Sequence, residues 1–144
     1  MSSDDPSTHL SMTHEDAKDF YEAYLAAWNA QDLIATSGFY GEPSCFVLPD
    51  RTVPLEDANA TLGLLEMVFE GLHREDFERS TYESLTVRSC NPGVAALDVS
   101  GIARHRRDGS VIETIDGHYI LRHQDDGGWR IAVTVVCKPG WLAT

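Results

Sequence analysis

The sequence predicts an α+β domain, a cone-shaped roll in which three N-terminal helices pack on a curved, mainly antiparallel sheet. Three observations predict it. Apolar residues recur at helical spacing in the first half of the chain, beginning behind a capping signal at Thr13. Beyond Asp76 the period changes to two. Turn signals at Asn91-Pro92-Gly93, Asp108-Gly109 and Asp126-Gly127-Gly128 then cut that second half into strands joined as a meander. Helices followed by antiparallel strands give a layer of helices over one sheet face.

Taken in order, Thr13 with Asp16 forms a capping box, and Ala17, Phe20, Tyr21, Tyr24, Leu25 and Trp28 mark one face of a first helix over 14 to 30. A short second helix is predicted from Leu33 to Tyr40, broken by Gly41 and Pro43, with a strand over Ser44 to Leu48 and a turn at Pro49-Asp50-Arg51. Pro54 suits a first helical turn, and Leu55, Ala58, Leu62, Leu65, Phe69 and Leu72 line a third helix ending near His73. Four strands follow, over 79 to 89, 94 to 106, 111 to 123 and 129 to 137. Strands this long must twist, so the sheet curls into a cone with a pocket at its open end.

Composition bounds the partners. A chain of 144 residues has the size of one domain, read as a flexible tail over 1 to 12 and a single domain over 13 to 144. No apolar run approaches a membrane span, and the first twelve residues lack the basic start and apolar stretch of a secretory signal. Cys45, Cys90 and Cys137 are odd in number and form no CxxC, which argues against a disulfide framework and points to the cytoplasm. A net charge of -12 repels nucleic acid and anionic lipid. The one dense basic run, Arg104 to Arg107, reads as a charged hairpin end beside Asp108-Gly109. His105, His118 and His123 match no metal-ligand spacing, so no metal is expected, and with no Gly-rich phosphate loop in the sequence no cofactor is expected either.

The capped first helix ending in AYLAAWNAQD, the following GFY, the third helix and above all DGSVIETIDGHYILRHQDDGGWRI resemble the nuclear-transport-factor-two-like superfamily, in its SnoaL-like and ketosteroid-isomerase-like branches. The resemblance covers nearly all of the chain after residue 12 and implies the same cone-shaped fold. It also implies a pocket for a small molecule, in a superfamily that includes isomerases, dehydratases, epoxide hydrolases and polyketide cyclases. The chain departs from the ketosteroid-isomerase-like pattern at one place. Where such members carry a catalytic aspartate before a proline, this sequence has Leu48 before Pro49.

Candidate chemistry therefore comes from strand pairing. A two-residue hairpin at Asp108-Gly109 sets Asp98 opposite Tyr119, and a four-residue turn over Cys90 to Gly93 sets Leu85 opposite Asp98 and Val87 opposite Ala96. The face so formed contains Leu85, Val87, Ala96, Asp98, Ser100, Ile115, Gly117, Tyr119 and Leu121 and is expected beneath the helices. Desolvation there raises an aspartate's pKa, so Asp98 is the candidate acid or base, Tyr119 its hydrogen-bond or oxyanion partner, and Glu83 a second carboxylate at the rim. The alternative is a satisfied polar pair, or an Asp98 that faces solvent after a one-residue slip. Asp116 and His118 are expected on the opposite, convex face with Val99 and Ile120, as part of a homodimer contact. Tyr24 and Trp28 face the sheet. Together with Phe46, Leu48, Met67, Phe69 and Trp141 they are candidates to hold a substrate, or else ordinary core packing.

The resulting expectation is a cofactor-independent enzyme that acts on a small, mostly apolar metabolite by acid-base proton transfer. The alternative is a non-catalytic binding or dimerisation domain.

Overall fold

The computed structural model describes residues 10–143. Helix α1 (His14–Asn29) opens with the expected capping box: Asp16 N–H donates to Thr13 Oγ1 at 3.0 Å, and Thr13 N–H donates to Asp16 Oδ2 at 3.1 Å. Its buried stripe, Ala17, Tyr21, Tyr24 and Trp28, has the three-to-four spacing of one helix face. The tail assignment for 1–9 lies outside the described residues, but the end of that tail is held in place. Met12 is buried, and Gly93 N–H donates to the Leu10 carbonyl at 2.9 Å.

Helix α2 (Leu33–Ser37) is shorter than expected, and strand β1 (Tyr40–Val47) begins four residues before Ser44. Gly41 and Pro43 do not end a helix. They sit where β1 changes register against its parallel neighbour, between Tyr40 and Cys45. Pro54 is likewise not helical. It belongs to β2 (Thr52–Leu55), an edge strand antiparallel to β1, where a missing N–H is tolerated. The helix α3 (Ala58–Arg74) starts only after Asp57, whose carboxylate caps it by accepting from Ala60 N–H at 2.9 Å. Thr61, Leu64, Leu65, Phe69 and Leu72 form its buried face.

The stretch expected as one strand over 79 to 89 is two, β3 (Phe77–Thr81) and β4 (Ser84–Asn91), both antiparallel to the long β5 (Val94–Arg106). With β6 (Val111–His123) and β7 (Trp129–Cys137) they complete a curved seven-stranded sheet ordered β2-β1-β7-β6-β5-β3, β4 also pairing with β5. Among the described residues only the β1–β7 pairing is parallel. A 3₁₀ turn, Trp141–Ala143, closes the described chain. The core between helices and sheet is built from the α1 and α3 stripes and from Leu97, Val99, Ile102, Tyr119, Leu121 and Ile131. Each such large apolar side chain contributes about 1.5–3 kcal/mol by leaving water. Among the described residues no helix is long and apolar enough to cross a membrane.

Strand register corrects the expected face. The Asp108-Gly109 turn is not a two-residue hairpin: Arg106 N–H donates to the Ser110 carbonyl at 2.8 Å and His105 lies opposite Val111, and a first register shift between Arg104 and His105 then sets Arg104 opposite Glu113 and Ile102 opposite Ile115. Between Val99 and Ile102 the register shifts, at Gly101 with φ 66°, and beyond it Asp98 lies opposite His118 while Leu97 lies opposite Tyr119. The β4 pairing is displaced too: Leu85 meets Val99, Thr86 meets Asp98 and Val87 meets Leu97. A one-residue slip exchanges sheet faces. Ala95, Leu97 and Val99 therefore point at the helices and are fully buried, while Ala96, Asp98 and Ser100 belong to the outer face.

Candidate functional site: a donor-lined interior opening on an apolar groove

The space beneath the helices is walled by aromatic residues that α1 delivers one turn apart. Tyr21, Tyr24 and Trp28, with Leu25, Ser80, Ile102, Arg104, Ile115 and Tyr119, line a cavity of about 30 Å³. That is room for a water-sized group. Tyr119 lies back over Gly117, where an added Cβ would come within 2.8 Å of its ring. The ring centroids of Tyr21 and Tyr119 are 5.8 Å apart. Tyr24 and Tyr40 share a short hydrogen bond between their hydroxyls.

Burial pushes the pKa of Tyr21, Tyr24, Tyr40 and Tyr119 above the ordinary phenol value, and in Tyr21, Tyr24 and Tyr119 the nearby Arg104 charge offsets this only in part. The phenols stay protonated and can donate.

Arg104 reaches this wall because the shift at Gly101 turns Ile102 and Arg104 inward. Its side chain is 14% exposed, its Nε lies 3.3 Å from Glu113 Oε2, and its guanidinium carbon stands 5.1 Å from the Trp28 ring centroid. The Nε is shielded from solvent and lacks a hydrogen-bond partner among the described residues, as does Trp28 Nε1. Arg104 and Ile115 are also part of a larger groove of about 670 Å³, lined as well by Leu48 and Pro49, by Val68, Gly71 and Leu72 of α3 with Glu75 just beyond it, and by Ile112, Glu113, Val136, Cys137 and Lys138. Its walls are mainly apolar. Burial raises the Cys137 thiol pKa, with Asp116 and Asp98 adding to the effect.

The residues singled out from the sequence do not converge on one site. Tyr24, Trp28 and Tyr119 line the inner cavity, and Leu48 lines the groove. Phe46 and Phe69 are buried as packing, Phe46 at 5.4 Å from Tyr40 and Phe69 at 4.6 Å from Trp28, ring to ring. Met67 is 62% exposed on α3 and Trp141 44% exposed beside His118, so neither closes the cavity. Glu83 is exposed, its side chain lying over Gly101.

Asp98 is not a neighbour of Tyr119. It is half-buried on the outer face, with Oδ1 2.5 Å from His118 Nδ1. Asp116, also on that face, is buried and accepts from Gly101 N–H at 3.0 Å and Leu142 N–H at 3.2 Å, while Val99, expected beside it, faces the helices. Among the described residues no group of three His, Cys, Asp or Glu side chains comes together to hold a metal ion.

Arg104, Glu113, Tyr21 and Tyr40 were not singled out. A glycine inside a strand signals a bulge. Reading Gly101 so would have turned Arg104 inward out of the basic run.

A family model described as NTF2-like protein (DUF6841) matches residues 14–139. No curated protein matches the sequence. Among solved structures, ActVI-ORFA from Streptomyces coelicolor superposes with a TM-score of 0.70 at 14% identity, over 85% of this chain and 95% of that one. A ketosteroid isomerase-like protein from Erwinia carotovora atroseptica gives 0.64 at 20% identity, over 85% and 95%. An NTF2-like protein with a cystatin-like fold from Novosphingobium aromaticivorans gives 0.68 at 15% identity, over 85% and 79%. At these identities the likeness is one of fold.

Proposed function

The chain belongs to the NTF2-like family DUF6841, and on that premise we propose that it binds a small, mostly apolar molecule in the groove between α3 and the ends of β1, β6 and β7. The observation that carries this reading is the groove itself. Its volume of about 670 Å³ falls within the roughly 300–1,000 Å³ of small-molecule sites, and Leu48, Val68, Leu72, Ile112, Ile115 and Val136 supply apolar walls around a few polar groups. Fluorescence titration with the neutral probe N-phenyl-1-naphthylamine tests it. Saturable binding is expected, weakened at least tenfold by Val68→Glu and by Ile112→Glu in variants whose circular dichroism is unchanged. Binding indifferent to both substitutions would place the probe elsewhere.

A second reading, proton transfer on that molecule, is supported by Glu113, the carboxylate on the groove wall beside Arg104. The fold likeness to a ketosteroid isomerase-like protein supports it as well. In this reading Glu113 replaces Asp98 as the base: its carboxylate takes the proton next to a carbonyl, and the electron pair moves onto the carbonyl oxygen as an enolate. Deuterium exchange at the α-carbon of 1-indanone, followed by NMR, is expected to be accelerated by the protein and not by its Glu113→Gln variant. An equal rate with and without protein leaves the binding function alone.

The homodimer is a proposal beside these, supported by Ile120, Val133 and Val135, which stand half-buried on the outer face of the sheet. A monomer in sedimentation velocity would remove it.

A further inference from the structure

We propose that Arg104 determines the specificity of the groove and selects ligands that carry a carboxylate on an apolar body. The inference deepens the groove reading and rests on it.

A guanidinium is a poor choice for a purely structural place on an inner wall. It brings five N–H donors in a fixed fork, and an arginine buried for packing is normally bonded out by carbonyls or carboxylates. Arg104 is 86% buried by side-chain area, the complement of its 14% exposure, yet its side chain makes no hydrogen bond among the described residues. What holds it is the Trp28 ring on one side and the Glu113 carboxylate at 3.3 Å on the other. Neither satisfies the fork.

The cavity groups that surround it carry no negative charge. Helix α1 presents Tyr21, Tyr24 and Trp28, and β6 presents Tyr119; their neutral hydroxyls and indole do not balance a guanidinium, and the Tyr24 hydroxyl is already bonded to Tyr40. The carboxylates on the groove are Glu75 and Glu113. Glu75 is engaged by Arg106 at 2.8 Å, and Glu113, whose side chain is 49% exposed, can turn to water when displaced. Lys138, which also lines the groove, has no ion-pair partner among the described residues. An anion entering from the groove would therefore meet a stacked, desolvated fork with a replaceable partner. A planar monoanion fits that fork in a bidentate way. A phosphate dianion fits worse, because it would need more cations than this wall provides and the chain as a whole carries a net charge of -12.

The test is competition against bound N-phenyl-1-naphthylamine by two ligands of one shape, 2-naphthoate and 2-naphthamide. The carboxylate is expected to compete at least tenfold better than the amide, with the ratio rising in Glu113→Gln, which removes the competing anion, and falling to near one in Arg104→Met. Arg104→Lys should keep part of the ratio through its charge. Equal competition by both ligands overturns the inference while the groove reading stands, and so does a preference that survives Arg104→Met. Should Arg104→Met fail to fold, Glu113→Gln decides, since an unchanged ratio in that variant also overturns it. If the naphthylamine itself does not bind, the groove reading falls and this inference falls with it.

Discussion

Asp98 and Arg104 occupy positions of equal parity on one strand, yet they face opposite sides of the sheet. In a regular pleat such residues share a face. The register shift at Gly101 separates them, sending Asp98 outward to His118 and Arg104 inward to Trp28. The same place is where β5 changes partners, from β3 at Ala103 to β4 at Ser100. One glycine thus decides which charged side chain of β5 belongs to the interior.

Gly101→Ala should therefore be costly. An alanine at φ 66° lies in the left-handed region, which costs roughly 1–2 kcal/mol, and its Cβ would stand 2.5 Å from Glu83 Cγ. The Glu83 side chain is exposed and can move, so the backbone share should dominate. Urea denaturation is expected to show a loss of about 1–2 kcal/mol that Glu83→Ala, added to the variant, recovers only in small part. Full recovery would assign the cost to the side-chain clash instead.

Asp98→Asn is expected to spare ligand binding. The Asp98–His118 contact lies on the outer face, half-exposed, where a charge-assisted pair contributes about 1 kcal/mol. Naphthylamine affinity should stay within twofold of the parent while the unfolding midpoint falls modestly. A tenfold loss of affinity would show that the outer pair reaches the groove.

Local signals made some of this legible and left the rest hidden. Thr13 and Asp16 announce α1 because a capping box is a contact between neighbours in sequence, and the stripe from Ala17 to Trp28 follows from helix geometry alone. Asn91-Pro92-Gly93 and Asp108-Gly109 likewise place strand ends. Pro54 misleads because its fate is set by pairing of Thr52–Leu55 with β1, a contact that no local propensity contains. Register is lost for a related reason: each bulge resets a count taken from the turn, so the shift between Arg104 and His105 brings Arg104 opposite Glu113 and the second, between Val99 and Ile102, moves Asp98 away from Tyr119. The identity of the interior cation was thus written in Gly101, not in the basic run around Arg104.

The Tyr24–Tyr40 hydrogen bond offers a coupling test. Either phenylalanine substitution leaves the other hydroxyl buried without its partner, at a cost of about 1–3 kcal/mol. The double variant removes both polar groups together, so its loss should be smaller than the sum of the single losses by about 1 kcal/mol. Additive losses in denaturant titrations would mean that the two hydroxyls do not depend on each other.

Alkaline pH should unfold the protein through these same rings. All five tyrosines are raised above the ordinary phenol value, Tyr21, Tyr24, Tyr40 and Tyr119 chiefly by deep burial, Tyr82 by burial and its bond to Glu22. Below about pH 10 the folded and unfolded chains both hold these protons, and stability does not depend on them. Above it the unfolded chain releases protons that the folded chain keeps, so stability falls as pH rises toward the folded values, by about 1.4 kcal/mol per pH unit for each buried tyrosine. Phenolate absorbance near 295 nm should accordingly stay low at pH 10 and appear together with the loss of circular dichroism in one cooperative step. Titration of most tyrosines near pH 10 with the dichroism intact would mean that the cluster is wet, and the donor-lined interior that Arg104 shares would have to be abandoned.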